Sequence, residues 1–189
     1  MKKRQVTLLG LMLALIMLAS CAPQATSYVR DDVDFSYVRR VAVFPFQNLS
    51  QDVHASQRLQ SIFVAEILAQ DALVILEQGE TLHAMAKLRL SPAAQLSKEQ
   101  IIALGQALSV DAIFFGTIEE YGVERISDGR TYSVTASFNL VETETGLMVW
   151  NSQTRADGTS FWRRLFGGGS ASLYDVSRDA IQQALETLF

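Results

Sequence analysis

The side chains able to do chemistry are few, and their spacing does not suit it. The chain has one cysteine, Cys21, and two histidines, His54 and His83. A zinc site needs three or four ligands, and neither histidine has a partner at a metal-ligand spacing. His54 falls in a polar stretch and His83 on a predicted helix, so both are expected at the surface. No G-x-S-x-G is present, and a Ser-His-Asp order is met only trivially. Gly167-Gly168-Gly169-Ser170 has no lysine after it and reads as a hinge rather than a phosphate cradle. Glu119 and Glu120 point to opposite faces if their strand continues, which spoils a shared acid pair. Glu142 and Glu144 flank a predicted turn, where solvated carboxylates are ordinary. The expectation is a chain that is not an enzyme, with no catalytic residues, no metal and no cofactor.

Cys21 stands apart because of what precedes it. Lys2-Lys3-Arg4 leads into an apolar run from Val6, and small residues close on the cysteine. A basic start, a short greasy stretch and small residues before a cut make a secretory signal. The run falls short of the about 20 apolar residues that span a membrane. Leu18-Ala19-Ser20-Cys21 resembles the lipobox of bacterial lipoprotein signals at every position. The plainer alternative is an ordinary signal peptide or uncleaved anchor, which would leave a lone thiol open to oxidation. The resemblance implies removal of residues 1–20, lipidation of the Cys21 sulfur and acylation of the new amino terminus, with palmitate-type chains as the only covalent addition. At about 0.8 kcal/mol per buried CH₂, several such chains hold a protein durably at a bilayer. Ala22 stands where Asp signals inner-membrane retention, so the resemblance implies lipid anchoring at the periplasmic face of the outer membrane.

Without its three basic residues, the mature chain has 13 Lys and Arg against 20 Asp and Glu, a net charge of −7. An acidic chain with no basic run is a poor nucleic-acid binder. With no cysteine pair the fold must rest on packing alone. Residues 21–37 are polar and then acidic, and read as a lipidated tether. Residues 38–189 read as a single domain.

Within that domain, short apolar runs alternate with helical periodicity. Val41–Phe44, Leu73–Leu76 and Asp111–Gly116 read as buried strands. Ala55–Gln70 repeats apolar residues at three- and four-residue spacing, as a helix does. Thr81 reads as the cap of a second helix that runs over Leu82, Met85 and Leu88. Ser97 with Gln100 forms a capping box for a third helix, to about Leu108. Tyr132–Leu140 alternates apolar and polar residues, and 147–155 returns as its hairpin partner. Residues 174–188 carry a last helical stripe. The expected fold is α/β: a three-layer mixed β-sheet of about five strands, with a parallel core, a C-terminal antiparallel hairpin and helices packed on it.

Phe161-Trp162-Arg163-Arg164-Leu165-Phe166 places four large apolar side chains and two arginines in a predicted loop. Three readings are open. The loop is an interfacial foot with arginines on lipid phosphates, a subunit contact, or a flap that covers the end of the sheet.

Val41-Ala42-Val43-Phe44-Pro45-Phe46-Gln47-Asn48-Leu49-Ser50 carries a family resemblance. Val110–Ile118 and Leu140–Trp150 support it. The chain resembles the CsgG-like and PelC-like outer-membrane lipoproteins, a group that includes the curli secretion protein, the Pel export lipoprotein and a penicillin-binding-protein activator. The resemblance implies a three-layer α/β domain facing the periplasm and a homo-oligomeric ring that serves envelope secretion. The connections 121–130 and 77–111 are too short for the long barrel hairpins of the curli protein, so a tethered ring without its own barrel fits better. The alternative is a monomeric regulator that binds and activates an envelope enzyme. Either role implies protein partners.

Overall fold

The computed structural model describes residues 25–30, 37–92, 95–126, 129–158 and 171–189. In chain order the elements are β1 (Thr26–Val29), β2 (Arg40–Val43), β3 (Gln47–Asn48), α1 (Ala55–Gln70), β4 (Val74–Ile75), α2 (Gln78–Lys87), α3 (Lys98–Leu108), β5 (Ala112–Ile126), β6 (Gly129–Glu142), β7 (Met148–Asp157) and α4 (Leu173–Leu185). They make a seven-stranded mixed sheet in the order β1-β7-β6-β5-β2-β4, with β3 also paired to β5. β2 runs parallel to β4 and β5, while β5, β6, β7 and β1 alternate direction.

Two apolar layers sandwich this sheet, because alternate strand residues supply both faces. On one face Val43, Phe114, Phe138 and Trp150 meet Phe63 and Ile67 of α1 and Ile181 and Leu185 of α4. Phe63 stacks on Phe138 with centroids 5.0 Å apart and meets Phe114 edge-on at 5.2 Å. On the other face Ala42, Phe44, Ile113 and Val141 meet Met85 of α2 and Ile101, Leu104 and Leu108 of α3. The α/β, three-layer expectation holds.

Several local expectations are corrected. Thr26–Val29, read as tether, pairs antiparallel with β7 as an exposed edge strand. An edge strand with both faces wet needs no apolar alternation, so its composition looked like a linker. The second strand is two residues long and lies at the sheet edge, with Val74 63% exposed. Thr81 is not a helix cap: α2 begins at Gln78, Thr81 is fully buried, and Leu82 is exposed. Starting a turn earlier turns Thr81, Ala84 and Met85 inward together. Gln47 and Asn48, just past the predicted strand Val41–Phe44, add a short parallel rung on β5.

Candidate functional site

Cys21, most of the 21–37 tether and the loop Phe161–Phe166 lie outside the described residues. The elements that bracket them are well placed. β1 is antiparallel to β7, with Thr26 opposite Gln153 and Val29 opposite Trp150. Thr26 therefore lies nearer the Asp157 end of β7 than Val29 does. Gly158 and Ala171, the two ends of the segment that holds Phe161–Phe166, lie side by side: a β-carbon on Gly158 would sit 3.5 Å from that of Ala171.

Beyond α2 and α3 the second face of the sheet is open and polar. Asn139, Ser137 and Thr135 of β6 lie beside Asn151, Gln153 and Arg155 of β7. Asn151 donates to Asn139 Oδ1 at 2.5 Å. The β5–β6 register shifts between Ile118 and Glu120. That bulge overturns the expectation that Glu119 and Glu120 part to opposite faces, because an inserted residue breaks the alternation. Both meet β7: Gln153 donates to Glu119 at 3.3 Å and Arg155 to Glu120 at 3.3 Å, while Arg155 also pairs with Glu124 at 2.8 Å. Glu120 and Glu124 are thus tied up in half-exposed ion pairs with Arg155, which contribute little each, while Glu119 accepts from the neutral Gln153 amide.

Where the covered and open parts of this face meet, a cleft of about 400 Å³ is lined by Phe44, Gln47, Leu96, Phe115, Thr117 and Asn139, among others. Among the described residues no lining side chain is ionisable. The cleft can hold apolar or neutral polar groups but offers no general acid, base or charged nucleophile. Sequence reading missed it, because its walls come from strand, turn and helix segments far apart in the chain.

Polar groups also gather at the opposite end of the sheet. Tyr37 donates to Glu142 Oε1 at 2.6 Å, and Thr145 donates to the other carboxylate oxygen. The backbone N–H groups of Arg39 and Arg40 donate to Asp111 Oδ2 at 2.9 and 2.8 Å. Partial burial, then the hydrogen bond to Glu142 and the charges of Glu142, Glu144 and Asp111 hold the Tyr37 phenol well above its ordinary range. This cluster clips the starts of β2 and β5 to the end of β6. These bonds brace that end of the sheet. His54 and His83 are both exposed, as expected. Among the described residues no three His, Cys, Asp or Glu side chains converge as a metal site would require. Among them too, no helix is long and apolar enough to cross a membrane.

The sequence profile described as "Putative lipoprotein GNA1162-like" matches residues 32–185. The chain belongs to the GNA1162-like lipoprotein family. That assignment supports the lipoprotein and PelC-like part of the resemblance, not CsgG-like membership specifically. GNA1162 from Neisseria meningitidis is 21% identical, with a TM-score of 0.52 over 68% of this chain and 90% of that one. The PelC dodecamer from Paraburkholderia phytofirmans is similar at 16% identity and TM-score 0.57, over 86% of this chain and 96% of that one. A single-substitution PelC dodecamer from the same organism gives 17% and 0.60 over 87% and 98%. At these identities the structures share the fold with the GNA1162-like chain. No curated protein sequence matches it significantly.

Proposed function

We propose that this GNA1162-like protein is a non-enzymatic lipoprotein, anchored through acylated Cys21 to the periplasmic face of the outer membrane, and that copies of it form a ring serving an envelope export or assembly system. The observation that carries the reading is the match of a lipoprotein family across 32–185, which begins eleven residues after the lipobox-like Cys21. The PelC chain, which assembles as a dodecamer, corresponds to this fold over nearly its whole length, and that supports the ring. So do two separate groups of exposed aliphatic and aromatic side chains. Leu49 and Val53 are 61% and 81% exposed after β3, and Val74 and Phe189 are 63% and 54% exposed beside an apolar hollow at the β4 edge. A ring needs two different, complementary patches on each subunit.

The test is the mass of the detergent-solubilised protein. A closed oligomer of many subunits is expected, and Val53→Asp or Val74→Asp is expected to reduce it to smaller species without unfolding the domain. A monomer at all concentrations contradicts the ring and favours a regulator that engages an envelope enzyme.

A further inference from the structure

The open face of the sheet is laid out in straight rows. Across four strands, Phe115 lies opposite Asn139, Asn139 opposite Asn151, and Asn151 opposite Tyr28. The next row crosses five strands, from Gln47 through Thr117, Ser137 and Gln153 to Thr26. Residues directly opposite share a face, so both rows stand on the side away from Phe138 and Trp150. The register shifts after Ile118 and Leu140 fall outside them. At about 4.8 Å between strands the rows span roughly 14 and 19 Å.

Their residue types are not those of a plain wet face. Neither row holds a Lys, Arg, Asp or Glu. Asn is depleted in strands, yet Asn139 and Asn151 face each other across β6 and β7, which are paired on both edges. Asn151 Nδ2 donates to Asn139 Oδ1, which leaves Asn151 Oδ1 and Asn139 Nδ2 unused among the described residues. The side chains of Gln47, Thr117 and Ser137 make no hydrogen bond among them either. Tyr28, 55% exposed, closes one end of the first row, and half-buried Phe115, in the wall of the neutral cleft, closes the other. Charges lie at the borders. Arg155 is held by Glu120 and Glu124, Glu119 accepts from Gln153, and Arg30, two residues past Tyr28, is engaged as well. Carboxylates outnumber guanidiniums there, so the floor does not suit phosphate or carboxylate groups.

A ligand for such a floor is uncharged and rich in groups that donate and accept, matching amides and hydroxyls. It also has apolar faces for the two aromatic rings. A peptide backbone is read at an open strand edge, whereas the middle of these rows offers side chains only. A sugar chain meets all three terms, with hydroxyls around its rings and C–H groups on their faces. We propose that this platform binds a neutral glycan strand, with its hydroxyls on Asn139, Asn151 and Thr117 and its rings against Tyr28 and Phe115. The inference goes beyond the proposed ring and does not depend on it.

The test uses full-length lipidated protein in an amine-oxide detergent, which has no sugar headgroup. It is titrated calorimetrically with neutral hexasaccharides of glucose, galactose, mannose and N-acetylglucosamine. At least one is expected to bind with a Kd below about 1 mM. Tyr28→Ala and Asn151→Ala are each expected to weaken it about fivefold with thermal unfolding unchanged, and Glu144→Ala, at another end of the sheet, to leave it unaltered. Tyr28 is exposed, so its variant decides the matter if Asn151→Ala unfolds. Failure of every hexasaccharide to bind at about 10 mM overturns the proposal, as does binding that Tyr28→Ala leaves intact. Tighter binding of a polygalacturonate or chitosan hexamer marks recognition by charge and overturns it. Tighter binding of a neutral proline-rich decapeptide, lost in the same variants, marks a peptide site and overturns it too. A monomer that binds the sugar contradicts the ring alone, and a ring that binds none contradicts the platform alone.

Discussion

Gly105 shows how one missing β-carbon sets the approach of α3 to the sheet. A methyl there would lie 2.2 Å from the Thr143 β-carbon, and Thr143 is held in place by donating to the Val110 carbonyl at 2.5 Å. Gly105→Ala is expected to cost about 1–3 kcal/mol in urea unfolding through overpacking. The opposite outcome is expected at Thr154. Its hydroxyl is buried on the α4 side of β7 without a hydrogen-bond partner among the described residues. Thr154→Val keeps the shape and removes the unpaired group, so stability should rise by up to about 1 kcal/mol. Tyr37 gives a pH signature. Its folded phenol titrates above the ordinary value of about 10, so the neutral form is favoured in the native state. The bond to Glu142 is therefore fully present below about pH 10 and is lost only as pH rises through the higher folded value. Tyr37 should therefore develop phenolate absorbance only above the ordinary range, and Tyr37→Phe should remove that late component of the absorbance titration.

Helix ends were the most legible elements, because their chemistry is local. The Ser97–Gln100 capping box is present with both bonds, and α1 spans the predicted Ala55–Gln70. Ser172 and Asp175 make a second box at α4. It escaped the sequence reading because Asp stands where the usual signature has Glu or Gln. Ser97→Ala and Ser172→Ala should each cost about 1 kcal/mol of thermal or urea stability, and a null effect at either would remove that cap from the account. What the sequence hid depends on partners far along the chain. β1 is polar on both faces and reads as linker until β7 lies beside it. The bulge after Ile118 gathers Glu119 and Glu120 beside β7, and nothing in their spacing announces an inserted residue. Ser152 and Thr154 turn inward, and their polar types disguise which face of β7 is the core.

For the whole molecule, layer order followed from the alternation of short apolar runs with amphipathic helices, since each helix must bury a stripe on one sheet. The neutral cleft and the open polar sheet face did not, because each is built from strands paired in three dimensions. In the proposed reading the domain acts through its surfaces, and its address depends on Cys21. Intact-mass analysis of the protein purified from bacterial membranes tests that most directly. The account predicts a chain that begins at residue 21 and carries added fatty-acyl mass on its first residue. A chain that retains Met1, or begins at another residue with an unmodified thiol at Cys21, contradicts it.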